Sequence, residues 1–97
     1  MLKQLVKRQT LTGDWTEIQF PKKSRSFFVK NFTEGDIFVS FKNNDDEAEC
    51  FKIKSGIGEE VAIQFHSLDK SEFYVNSIYV KGTGEVEVQA MDNYKED

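Results

Sequence analysis

Three groups of residues in this chain are of types that do chemistry. His66 is followed by Ser67 and, three residues on, by Asp69, so the members of a Ser–His–Asp set occur close together. Such a set works when hydroxyl, imidazole and carboxylate converge from separate elements, which adjacency along one segment does not achieve. No nucleophile-elbow sequence surrounds the serine, and His66 reads as a loop histidine. Cys50 is the single cysteine, inside Ala48-Glu49-Cys50-Phe51-Lys52-Ile53. A reactive thiolate is favoured by a neighbouring histidine or an electropositive setting, whereas the residues here are acidic. Cys50 reads as a small core residue, and with no second cysteine the fold has no intrachain disulfide. The third group is the acidic loop Asn43-Asn44-Asp45-Asp46-Glu47 with Glu49. Its oxygens suit Ca²⁺, but it lacks the glycine and distant bidentate glutamate of the helix–loop–helix motif. It reads as a solvated hairpin loop.

Gly56-Ile57-Gly58 and Gly82-Thr83-Gly84 resemble phosphate cradles only in glycine content. A phosphate-binding loop needs a following Lys-Ser/Thr and a helix, so both read as turns. Many carboxylates are present, but acid–base pairing needs one of them desolvated. These observations assign no catalytic residue, no metal ligand and no cofactor, and the chain is expected not to be an enzyme.

The elements that position the remaining candidates are strands. Within Phe27–Phe41, five of fifteen residues are Phe. Two apolar runs, near 26–32 and 36–42, flank Thr33-Glu34-Gly35-Asp36, a pattern that predicts a β-hairpin. Its phenylalanines fall on both faces, whereas a half-solvated hairpin shows apolar residues on one. The second face is therefore expected to meet loops of the same chain or a partner. Trp15–Phe20 alternates, with Thr16, Ile18 and Phe20 on one side, and Pro21 is expected to end that strand for want of an N–H. Further strands are expected near 48–53, over Glu60–Phe65 with Val61, Ile63 and Phe65 inward, and over Phe73–Lys81. Glu85–Ala90 has the cleanest period of two, with Val86, Val88 and Ala90 inward and Glu85, Glu87 and Gln89 toward water. Residues 1–12 form a first strand or an arm, and the polar tail 92–97 is expected to fray.

No segment sustains a 3.6-residue period. Seven or eight short strands with close turns predict an all-β fold, an antiparallel β-sandwich of jelly-roll-like topology. Ninety-seven residues make a single domain. Nine of its thirteen aromatic residues are Phe and only four residues are Leu, which predicts an aromatic core. The formal charge of −4 argues against a phosphate-backbone binder, although Lys3, Lys7, Arg8 and Pro21-Lys22-Lys23-Ser24-Arg25 form local basic clusters. Nucleic acid is not an expected partner. No apolar stretch approaches the ~18 residues of a membrane-spanning helix and no signal peptide is evident, so neither is a membrane.

The aromatics on the face away from the expected core are Trp15, Phe28, Phe32, Phe38, Tyr74 and Tyr79. They are the candidate interface residues, because exposed aromatics anchor protein contacts and stack on sugar rings. Phe offers a sugar hydroxyl no polar handle, which favours a protein partner.

Three segments carry a family likeness: Trp15-Thr16-Glu17-Ile18-Gln19-Phe20-Pro21; Phe28-Val29-Lys30-Asn31-Phe32 with Gly35-Asp36-Ile37-Phe38-Val39-Ser40-Phe41; and Ile78-Tyr79-Val80-Lys81-Gly82-Thr83-Gly84-Glu85-Val86-Glu87-Val88. Over about residues 14–90 their cadence resembles the small β-sandwich virion proteins of tailed bacteriophages and prophages, the head-decoration and head-fibre proteins. The resemblance implies a non-enzymatic capsid or virion component, assembled in a bacterial cytoplasm. It also implies a homo-oligomer, with a trimer favoured. The alternative is a carbohydrate-binding module of a phage adsorption apparatus or bacterial surface system, with Trp15, Tyr74 and Tyr79 as its strip. A cupin-like enzyme is poorly served by a single histidine.

Overall fold

The computed structural model describes residues 5–41, 50–62 and 75–91. Within them lie eight strands: β1 (Val6–Thr12), β2 (Thr16–Ser24), β3 (Ser26–Asn31), β4 (Ile37–Ser40), β5 (Phe51–Ile53), β6 (Gly58–Ala62), β7 (Val75–Lys81) and β8 (Thr83–Ala90). They form two antiparallel four-stranded sheets, β1-β8-β3-β6 and β2-β7-β4-β5. That order is the jelly roll, two Greek keys folded over one another. The expected fold class is present, and residues 6–12 are a strand, paired along their length with β8 from Val6↔Gln89 to Thr12↔Thr83.

The hairpin expected over 26–42 does not form. β3 belongs to the first sheet and β4 to the second, and the chain crosses between them at Phe32–Asp36. The reason lies in the ladder of β3, both edges of which are occupied: Phe28 faces Gln89 of β8 on one side and Glu60 of β6 on the other. Gly82 likewise joins strands of opposite sheets, β7 and β8. Of the strands adjacent in sequence, only β4 and β5 pair.

Pro21 does not end β2. The strand continues to Ser24, with a register shift against β7 between Gln19 and Ser24. β2 is an edge strand, where a missing N–H breaks no ladder on its open side.

Among the described residues the core is not the aromatic one expected. Its buried apolar side chains there are Leu5, Leu11, Ile18, Val29, Ile37, Val39, Ile53, Val61, Ile78, Val80, Val86, Val88 and Ala90, joined by two aromatics, Phe20 and Phe27. β-Branched side chains suit the inward positions of facing pleated sheets, and the other described phenylalanines lie on outer faces or at the rim. Phe27 connects the layers, its ring 5.5 Å from Phe20 and 6.1 Å from Phe41, which in turn meets Phe51 edge-on at 6.0 Å. The inward alternation expected for Ile18 and Phe20, for Ile37 and Val39, and for Val86, Val88 and Ala90 is present.

Candidate surfaces on two opposite faces

The interface candidates divide between the two outer faces of the sandwich. Phe28 belongs to the first sheet, and Phe32 borders it. Phe28 is half-buried beside the fully buried Phe27 and Val29, so it is turned outward. Phe32 follows β3 and is 59 % exposed. Phe38 and Tyr79 belong to the second sheet, and Trp15 immediately precedes its strand β2. Tyr74 lies outside the described residues, as do the Asn43–Glu49 loop, His66, Ser67, Asp69 and the tail.

On the first sheet, Phe28, Lys30, Phe32, Gly56, Ile57 and Gly58 line a shallow depression of about 260 Å³. Gly56 makes the turn beneath it possible. The Ile57 amide donates to the Lys54 carbonyl at 3.2 Å, and Gly56 has φ of +78°, the left-handed third position that a type II turn requires. Gly58 seats Phe28: a Cβ at this position would lie 2.7 Å from the ring Cε1. Ile57 is 43 % exposed at the tip of the turn. Sequence reasoning took these residues for a turn only, although an isoleucine held between two glycines in a solvent-facing loop is itself a sign of an apolar contact point.

Beside the depression runs a charged row across three strands. Arg8 Nε donates to Glu87 Oε1 at 2.9 Å, and Lys30 Nζ lies 3.3 Å from Glu87 Oε2. Glu87 lies on the outward side, as expected, and is half-buried there between two cations. Hydrogen bonds, from Arg8 first and then Lys30, hold its carboxyl below the usual carboxylate value. The same bond to Glu87 raises Arg8.

On the second sheet, Lys81 faces Phe38 across the β4–β7 ladder, and its Nζ lies 6.0 Å from the centre of the Trp15 ring, within reach of a cation–π contact. One register step away Tyr79 is opposite Glu17, and its hydroxyl donates to Glu17 Oε2 at 3.3 Å. Desolvation, then the charge of Glu17, pushes the Tyr79 hydroxyl above its ordinary value. The Trp15 indole N–H is enclosed and makes no hydrogen bond.

A third feature joins the two sheets beneath the depression. Asn31 is an inward-facing, fully buried polar residue of β3. Its amide donates to the carbonyls of Gly35 at 2.9 Å and Ile53 at 3.0 Å, and its side-chain oxygen accepts from the Thr33 amide at 2.8 Å. Its backbone bonds Ile57 and Gly56. One residue thus fixes the β3–β4 crossing and the turn that carries Ile57. Among the described residues no three His, Cys, Asp or Glu side chains come together in a geometry able to hold a metal.

Comparison of the chain with protein-family models, with curated proteins and with solved structures finds no match.

Proposed function

We propose that this chain is a non-enzymatic virion structural or decoration protein of a tailed phage or prophage, working by protein–protein contact and self-association. The observation that carries the reading is the exposed apolar group Phe32 and Ile57, continuous with Phe28 around one depression. Aromatic and aliphatic anchors around a concavity, rimmed by Lys30 and other charges, have the composition of a contact site. The jelly-roll order supports the class by analogy, since that fold builds capsid domains. The segments that carry the phage likeness supply β4 and parts of β2, β3, β7 and β8.

The test is binding to purified particles of the phage or prophage that encodes the chain. The wild-type chain cosediments with them, and the Phe32→Ser/Ile57→Ser variant, with unchanged melting, binds at least tenfold more weakly. Particles that neither contain nor bind the polypeptide overturn the reading.

A carbohydrate-binding role is favoured by one specific observation, the grouping of Trp15, Phe38, Tyr79 and Lys81 on the second sheet. The jelly roll also builds lectin domains. The enclosed Trp15 N–H weakens this role, since it has no exposed donor for a hydroxyl. Saturable glycan binding that shifts tryptophan emission and is lost in Trp15→Ala would select it over particle binding.

A further inference from the structure

The sandwich has four strand edges, and they are unequal. On the second sheet, edge strand β2 carries Pro21 and a register shift, and edge strand β5 is three residues long. Both devices discourage further pairing. On the first sheet, edge strands β1 and β6 have seven and five residues and contain no proline. Val6, Lys7, Arg8 and Thr10 of β1 are exposed, and so are Gly58, Glu59, Glu60 and Ala62 of β6.

Among the described residues nothing pairs with the outer sides of β1 and β6, and these two edges carry opposite charge, Lys7-Arg8 on β1 and Glu59-Glu60 on β6. The match extends to both sides of the sheet. Arg8 is in register with Glu87, and Glu60 with Phe28, all on the outer face. Lys7 is aligned with the inward-facing Val88, and Glu59 with the inward-facing Val29. Two β1 edges, or two β6 edges, would place like charges side by side, which opposes a two-fold symmetric joint. Direction agrees as well. The four strands alternate, so β1 and β6 run oppositely within one copy. A second copy set beside the first without inversion brings its β1 antiparallel to the first copy's β6.

We propose that copies of this chain join head to tail, β1 of one against β6 of the next, extending the first sheet across the subunit boundary. The inference rests on the self-associating part of the reading above and names the surface that does it. The joint is heterologous, so it generates a ring when the rotation between copies closes, which is the way a trimer would arise. It places the exposed Val6 beside the neighbour's Ala62 end and leaves the Phe28–Ile57 depression open for the particle.

The experiment is the solution mass of the full chain by light scattering after size exclusion, at micromolar and tenfold lower concentration. Wild type is compared with Glu59→Lys/Glu60→Lys and with Lys7→Glu/Arg8→Gln, the milder change at Arg8 sparing Glu87 a facing carboxylate. Wild type is expected as an oligomer. Each variant, folded by circular dichroism, is expected to associate at least tenfold more weakly, and an equimolar mixture is expected to associate more than either variant alone, because the altered β6 edge of one then meets the altered β1 edge of the other. A wild-type monomer at both concentrations overturns the proposal whatever the variants do. An oligomer whose mass neither charge reversal changes overturns the β1–β6 joint while leaving particle binding standing; loss of particle binding with the joint intact would do the reverse.

Discussion

The side-chain amide of Asn31 donates a 3.0 Å hydrogen bond to the carbonyl of Ile53, a residue of the opposite sheet. A buried polar bridge between layers is costly when incomplete and specifying when satisfied. Here both hydrogen-bonding ends of the carboxamide are used. Asn31→Ala would leave the Ile53 carbonyl and the Thr33 amide without their side-chain partner, while the Gly35 carbonyl keeps the Thr33 hydroxyl at 2.7 Å. Each buried group so stranded costs about 1–3 kcal/mol, and solvent entering the cavity offsets part of it. A loss of about 2–4 kcal/mol is expected, read as a lower urea midpoint with little change in slope.

Phe27 is the ring on which both sheets close. Phe27→Ala removes a fully buried side chain in contact with Phe20 and Phe41 and is expected to cost about 3–5 kcal/mol. Against a total stability of about 5–15 kcal/mol for a domain, that is a large share. Thermal denaturation is expected to show a steep fall in Tm or no cooperative transition at all.

Two glycines make opposite demands. A Cβ on Gly82 would lie 2.7 Å from Cγ2 of the fully buried Ile37, which has nowhere to retreat. Gly82→Ala is expected to cost about 1–3 kcal/mol by overpacking. A Cβ on Gly58 meets the end of the Phe28 ring at the same distance, but that ring borders solvent and can swing away. Gly58→Ala is expected to change stability by less than about 1 kcal/mol and to weaken particle binding by reshaping the depression. Paired melting and binding measurements separate the two effects.

Glu87 contributes a pH dependence of stability. Its folded carboxyl is held below its ordinary value, so folding favours the ionised form. The stabilisation is therefore present above the ordinary carboxylate range and is lost as pH falls through the lowered folded value. Glu87→Gln is expected to lower the urea midpoint at pH 7, with the gap from wild type closing at strongly acid pH. Because Arg8 is largely exposed, the gap should also narrow in molar salt.

Whether a position faces inward was well expressed along this chain; which layer it belongs to was not. The alternation Val86, Val88, Ala90 or Ile37, Val39 reports a buried side, and a period of two carries no further information. For that reason the Phe27–Phe41 run looked like one hairpin, and its Phe28 and Phe38 looked like part of one surface, when their strands belong to opposite sheets. The deciding contacts are distant ones: Asn31 with Ile53, and Phe28 with Gln89 and Glu60. Pro21 shows the same gap. Its ring excludes a central strand, and only the sheet order reveals that β2 is an edge. Gly58 and Ile57 were visible as a turn, but the ring of Phe28 lying over Gly58 is set by the β3–β6 register.

The pairing of Val6 with Gln89 also fixes an order of events during synthesis. A ribosome makes β1 first among these strands and β8 last, and among the described residues β1 has no other sheet partner within its own chain. The first strand must therefore wait, unpaired, until nearly all the described chain has emerged. No leading fragment can complete the first sheet, and a nascent chain halted before residue 83 carries its basic strand without its sheet partner.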